Sequence, residues 1–496
     1  MGSTKGFICD MNEVRIRLFT PMSIQIITED EDYLKLMKEK FTEYVPGFQF
    51  MPAYKSGAWR GTICMINNTT NSLPYGLLFD LVRFHRKHFK NNTLIIEEEV
   101  KDLFRGKKFR PKWDLSLKPY PYQKECIMSC LDKTKGIIRS ATASGKSLVI
   151  AYIIRTLLTR KSSNVKKVVI IVPSTSLIEQ FKGDLIGYGF DSKLIGKVFA
   201  QSKEWDTPVT ISTWQTLSRN LERVMNYDCV IVDEVHGAKA LLLKKILEKS
   251  VRAKYRLGFT GTLHSATLDN WNVKSYLGPI LREYPSGLLA EQGYISKCTI
   301  NMLNMEYSNE DWEGTYDEIK DEVFTNPFRM ALLRELTKAL DHNVLLLVGK
   351  VEKEGEVLKE VLKGIDKEVV FLSGKDSVEE REKWRKKCMN NNNIALCATY
   401  GIFQQGINIP NQKYIVLASP FKSKIRVLQS VGRSLRKHAD KEDGAIIFDI
   451  HDHTKHFDKH GDIRVRYYDS ERFTINEYLF QEGLGHDIDD FIKSLN

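Results

Sequence analysis

Apolar positions change their rhythm at about residue 119 of this 496-residue chain. Before that point, β-like runs (Glu13–Phe19, Ser23–Ile27, Thr62–Ile66, Leu94–Glu97) stand among stretches of helical spacing (Glu31–Glu43, Leu77–Phe89). That mixture predicts a small α+β region over residues 1–112. Beyond it, continuous apolar runs alternate with amphipathic segments. The runs at 167–173, 208–213, 227–234 and 256–262 form one series, and those at 343–349, 368–374, 393–399, 413–419 and 444–450 form a second. Unbroken apolar runs suit strands buried on both faces, so each series predicts a parallel sheet with crossover helices. The expected organisation is three regions, 1–112, 113–300 and 301–496, the last two α/β.

Composition adds a little. Hydrophobic content of 42% and charged content of 28%, with no apolar run of membrane-span length, predict a globular chain with no membrane partner. The eight cysteines are scattered without a C-x-x-C pair, which speaks against a disulfide framework and fits a reducing cytoplasm. A net charge of +11 favours a polyanionic partner. "FRGKKFRPKW" (Phe104 to Trp113) sets five cations among three aromatics, suited to phosphates and stacked bases but equally to a solvated connector. Tyr54, Lys55, Trp59 and Arg60 read as a basic-aromatic hairpin for backbone and base contacts, or as hairpin core.

Candidate chemistry begins at "SATASGKS", Ser140 to Ser147, between an apolar stub and an apolar helix. It matches the phosphate-binding G-x-x-x-x-G-K-[ST] except that Ser140 stands at the first glycine. Small residues Ala141, Thr142, Ala143 and Ser144 with Gly145 would let backbone amides approach a nucleotide, Lys146 would face its terminal phosphates, and Ser147 would hold Mg²⁺. One series later, "VIVDEVH" ends an apolar strand in Asp233 and Glu234, a place for an Mg²⁺ ligand and a water-orienting carboxylate, with His236 placed to relay nucleotide state. "QSVGRSLRKH" (Gln429 to His438) sets Arg433 and Arg436 three apart on an expected helix start, spaced to stabilise charge on a transferring phosphate. The histidines of "HDHTKH" (451–456) and His460 raise a metal nuclease, but no strand-end carboxylate cluster accompanies them, and a capping loop after the last strand is the preferred reading.

Taken in order, these residues resemble superfamily 2 helicases from about Lys118 to the C-terminus. "KPYPYQKECI" is similar to the adenine-reading element, implying Tyr120 and Gln123 as contacts, and "GFTGT" stands where the family couples hydrolysis to motion, implying Thr260 and Thr262 together with His236 and Gln429. "IVPSTSLIEQF" and "TISTWQTL" resemble DNA-gripping motifs, implying Pro173, Ser174, Thr213, Trp214 and Gln215. "ATYGIFQQGINIP" resembles motif V, implying Thr399, Tyr400 and Gln404 on DNA and Gly406 and Asn408 on the nucleotide. "FQFMPAYKSGAWRGTI", "SLPYGLLFDLVRF" and "LLAEQGYIS" are similar to the UvsW family of phage recombination helicases. The resemblance implies two tandem RecA-like domains behind an N-terminal α+β DNA-binding domain, ATP and Mg²⁺ as cofactors, and branched DNA or RNA–DNA hybrids as substrates. Two other readings stay open: a restriction-type duplex translocase, and a DNA-binding scaffold with a degenerate ATP site.

Overall fold

A computed structural model of the chain describes residues 13–237, 240–263, 266–308, 312–349, 351–405, 409–419, 423–484 and 487–495. It divides into two compact units, Met1–Arg139 with Gly145–Glu283 and Ser140–Ser144 with Tyr284–Asn496.

The first unit holds two larger sheets and a two-stranded ribbon. Strands β1 (Glu13–Thr20) and β2 (Ser23–Ile27) form an antiparallel pair, and β3 (Thr42–Tyr44) and β4 (Thr62–Cys64) a separate antiparallel ribbon. With β5 (Ser72–Pro74) and β6 (Thr93–Ile96), the first sheet runs β5-β2-β1-β6. Val14, Ile16, Ile24 and Ile26 alternate inward from β1 and β2, and they share one core with Leu268 and Trp271 from the helix Thr267–Leu277. Lys274 Nζ reaches Asp80 at 3.1 Å, and Tyr75 donates to the Tyr276 carbonyl at 2.5 Å. The N-terminal region is therefore bonded into the unit by buried side chains.

The second sheet has eight strands: β7 (Lys135–Ser140), β8 (Val168–Val172), β9 (Ile195–Phe199), β10 (Ser202–Lys203), β11 (Val209–Thr213), β12 (Cys229–Val232), β13 (Tyr255–Thr260) and β14 (Ile280–Tyr284). Their order is β10-β9-β11-β8-β12-β13-β7-β14. β8, β11, β12 and β13 are buried along their whole length; β8 and β12 are unbroken apolar runs, whereas β11 and β13 also bury Thr210, Ser212, Thr213, Arg256 and Thr260. The central pairs are parallel, so the carboxyl ends of β7, β8, β11, β12 and β13 meet at one edge.

In the second unit, β15 (Cys298–Glu306), β16 (Val344–Val348), β17 (Glu368–Leu372), β18 (Ile394–Thr399), β19 (Tyr414–Leu417), β20 (Ala445–Asp452) and β21 (Thr474–Gln481) form a seven-stranded sheet ordered β17-β18-β16-β19-β20-β15-β21, with parallel pairing throughout. β20 is anchored by two buried ion pairs, Asp452 with Arg329 and Asp449 with Arg464, each at 2.8 Å. No helix among the described residues is long and apolar enough to cross a membrane.

Two local expectations are corrected. The Tyr54–Arg60 stretch is not a strand hairpin: Tyr54 and Lys55 lie in a one-turn helix (Pro52–Lys55) within the connection from β3 to β4, started by Pro52 at its first position. Arg433 and Arg436 do not open a helix. The helix runs Lys424–Ser434, so Arg433 is in its last turn and Arg436 lies beyond it, because the buried stripe Val427, Leu428, Val431 and Leu435 places the helical register upstream of the arginines.

Candidate active site

The phosphate-type loop leaves β7 and enters the helix Lys146–Thr159. Ser140 ends the strand, and the left-handed steps fall later, at Ala143 (φ 66°) and Gly145 (φ 74°). A serine is therefore tolerated at the first position, where the backbone needs no glycine. Gly145 is constrained twice, since a Cβ there would also stand 2.6 Å from Gln123 Nε2. Gln123 is buried at 3% exposure and its Oε1 accepts from the Tyr120 amide at 2.8 Å. Its carboxamide thus braces the loop, while Tyr120 stays half exposed.

Asp233 and Glu234 follow β12 at the same sheet edge. Lys146 Nζ stands 3.9 Å from Glu234 Oε1. Burial, then the Glu234 charge, holds the Asp233 carboxyl well above the usual carboxylate range, with Lys146 pulling the other way. Asp233 Oδ1 is buried without a hydrogen-bond partner, a carboxyl oxygen that a divalent cation would satisfy. Glu234 takes a left-handed backbone (φ 49°), strain of the kind that concentrates at functional sites.

Behind this pair runs a buried chain of hydrogen bonds. The Thr260 hydroxyl donates to the Thr262 carbonyl at 2.7 Å, so its oxygen accepts from His236 Nδ1 at 2.7 Å. That fixes the proton on Nδ1, which also lies 3.3 Å from Glu234 Oε2. His236, Thr260 and Thr262 are brought together as expected from the sequence. The pattern of residues missed Asp184 and Tyr188. Tyr188 Oη meets Ser147 Oγ at 2.9 Å, and the Asp184 charge also raises Asp233. Both come from the end of the helix Thr175–Gly187, and no local motif marks them.

Three family descriptions match the chain: "DNA helicase UvsW, N-terminal" over residues 13–94, "Type III restriction enzyme, res subunit" over 116–265 and "Helicase conserved C-terminal domain" over 329–438. The ATP-dependent DNA helicase uvsW of Enterobacteria phage T4 is 25% identical over 500 residues, covering 93% of this chain and 98% of that protein. The chain belongs to the superfamily 2 helicases. It is an ATP-dependent DNA helicase resembling UvsW. The DNA 3'-5' translocase XPB2 of Sulfurisphaera tokodaii is 25% identical over 420 residues, 76% of this helicase and 90% of that protein. A fragment of a putative HsdR subunit of a type I restriction enzyme from Vibrio vulnificus shares the fold at a TM-score of 0.56 and 16% identity, over 78% of this chain and 72% of that one.

The remaining expected positions divide. Pro173 and Ser174 are partly exposed after β8, and Gln215 is exposed after β11. Thr213 and Trp214 are not available for DNA through their side chains. Thr213 Oγ1 accepts from the Thr216 amide as a helix cap, and Trp214 is a core ring at 5% exposure. Tyr400 is likewise buried at 2% in the second unit, with Thr399 partly exposed beside it. Gln404 falls in a helix, its side chain outside the description, and Gly406 and Asn408 lie outside the described residues. Arg433 packs its guanidinium 5.9 Å from the Phe403 ring, and Gln429 and Arg436 are partly exposed. In the N-terminal ribbon, Trp59 is pinned by its Nε1 donating to Thr62 O at 2.9 Å, whereas Tyr54, Lys55 and Arg60 are exposed. Tyr44 (55%) at the end of β3 and Phe50 (73%) in the connection to β4, which motif reading missed, are also exposed. In the 104–113 connector, Phe104 and Phe109 are buried and Arg105 pairs with Glu98, so its aromatics serve packing.

Proposed function

We propose that this helicase uses ATP with Mg²⁺ to remodel branched duplex DNA, acting on four-way junctions and stalled forks and on RNA–DNA hybrids. What carries the reading is the N-terminal region, which joins a UvsW-type sequence to a β3–β4 segment with exposed Tyr44, Phe50 and Tyr54 as well as Lys55 and Arg60. Aromatic faces with flanking cations suit bases unstacked at a branch point. The proposed division is 1–112 for DNA recognition, 113–300 for ATP binding and 301–496 for the second motor domain.

In this reading the Ala141–Gly145 amides and Lys146 hold the phosphates, Ser147 and Asp233 hold Mg²⁺, and Tyr120 flanks the adenine. Glu234 orients the attacking water. Arg433 and Arg436 stabilise charge on the transferring phosphate. The His236–Thr260–Thr262 relay and Gln429 pass the hydrolytic state on, while Pro173, Ser174, Gln215, Thr399 and Gln404 grip DNA. Mg²⁺ supplies charge neutralisation at the phosphates when bound. A second reading, a restriction-type duplex translocase, is favoured by the restriction-subunit match over 116–265. Displacement of a third strand from blunt duplex, measured beside strand exchange on a mobile four-way junction, separates the two. Triplex displacement without junction processing would replace the first reading by the second.

A further inference from the structure

The end of β20 carries a side-chain cluster that ATP chemistry does not use. His451 and His453 lie with ring centroids 4.2 Å apart, and a donor atom from each, with one carboxylate oxygen of Asp458, fits within a span of 4.8 Å. One carboxamide oxygen, Asn304 Oδ1 on β15, faces Nδ1 of His451 at 2.9 Å and Nε2 of His453 at 3.3 Å. The carboxamide turned over would donate to both rings; with its oxygen as the acceptor, both imidazoles present N–H to it. The opposite nitrogens then carry lone pairs, and they also face oxygen. His451 Nε2 is 2.9 Å from the Asp458 carbonyl and 3.7 Å from its Oδ1, and His453 Nδ1 is 2.8 Å from the same Oδ1. Lone pairs on nitrogen turned toward carboxylate and carbonyl oxygens repel unless a cation stands among them.

We propose that His451 Nε2, His453 Nδ1 and Asp458 Oδ1 bind a divalent transition ion of the zinc class, with Asn304 orienting both rings from behind. Two imidazoles and a carboxylate suit zinc, and a shared acceptor on the far nitrogens is the usual way such ligands are aimed. Gly461 fits the same design, because a Cβ there would lie 2.0 Å from His451 Cδ2, so the following helix Asp458–Ser470 closes directly over the ring. The ion would fasten the loop after β20 to that helix, a structural clamp and not a nuclease centre.

The test uses the full, untagged chain stripped of metal with a chelator, then titrated with Zn²⁺ and, for its visible spectrum, Co²⁺. One equivalent should bind with tetrahedral-type cobalt bands, and Zn²⁺ should raise Tm. His453→Gln should abolish both effects, and Asn304→Ala should weaken binding by about 10–100-fold. His456→Gln, outside the cluster, should change neither, and circular dichroism reports that each variant is folded. Substoichiometric binding, or one-equivalent binding that His453→Gln leaves unchanged, would overturn the site. So would a cluster that takes up protons on acidification but no Zn²⁺, since the cation would then be the proton alone.

Discussion

Replacing Thr260 with valine would keep the shape of the relay and remove the hydroxyl at its centre. In the native protein that oxygen accepts from His236 Nδ1 at 2.7 Å and from the Thr262 amide at 3.2 Å, and donates to the Thr262 carbonyl at 2.7 Å. Thr260 is fully buried and His236 and Thr262 nearly so, which leaves no water to replace these contacts. An orphaned buried polar group costs about 1–3 kcal/mol. His236 Nδ1 has the Glu234 carboxylate within 3.3 Å to turn to, so the loss should be about 2 kcal/mol, not the sum over three groups. Urea unfolding measures this term. ATP hydrolysis and strand separation, measured on the same preparation, measure the functional one. Because Lys146, Asp233 and Glu234 are untouched, turnover should fall only a few-fold while strand separation per ATP falls by about tenfold or more, the equivalent of one lost coupling contact of about 1.4 kcal/mol. Equal losses in both activities, or a variant indistinguishable from the native chain, would refute the relay.

Glu234→Gln should bind ATP with near-native affinity yet hydrolyse it slowly in single-turnover assays, because only the orienting carboxylate is lost; a collapse of ATP binding would contradict its role. Arg433→Ala and Arg436→Ala should each lower turnover by about 10³-fold with much smaller effects on nucleotide affinity, the low end for a lost arginine finger. Deleting residues 1–112 should destabilise the first unit, since Leu268 and Trp271 would lose their core partners, and Trp271→Ala alone should cost about 3–5 kcal/mol by chemical denaturation. Burial, reinforced by Arg256 and Lys254, pushes the Lys135 ammonium down to about 7 despite its 2.6 Å donation to Leu103 O. The unfolded chain therefore holds a proton that the native one lacks between about pH 7 and 10, so stability should rise with pH across that window by up to about 1.4 kcal/mol per unit, and Lys135→Met should flatten the rise.

What was legible in the sequence follows burial. β8 and β12 are buried on both faces and read directly as apolar runs. β21 has only Phe480 fully buried, and its "TINEYLFQ" carries no apolar block to announce a strand. Motif spacing singled out Lys146, which opens the helix after the β7 loop, and Asp233 and Glu234, which directly follow β12. Asp184 and Tyr188 escaped because the fold alone brings them to that edge from a neighbouring helix. Trp214 and Tyr400 show the converse: an aromatic inside a DNA-gripping motif is not distinguishable by sequence from one that fills the core.

The central claim is that ATP hydrolysis at this site drives remodelling of branched DNA. Its most direct test is the rate at which the full chain resolves a mobile four-way junction, beside blunt duplex of the same sequence, with native protein and Lys146→Ala. Junction resolution should require ATP, blunt duplex should be little affected, and Lys146→Ala should bind the junction but not move it. Equal processing of both substrates, or junction movement by Lys146→Ala, would contradict the claim.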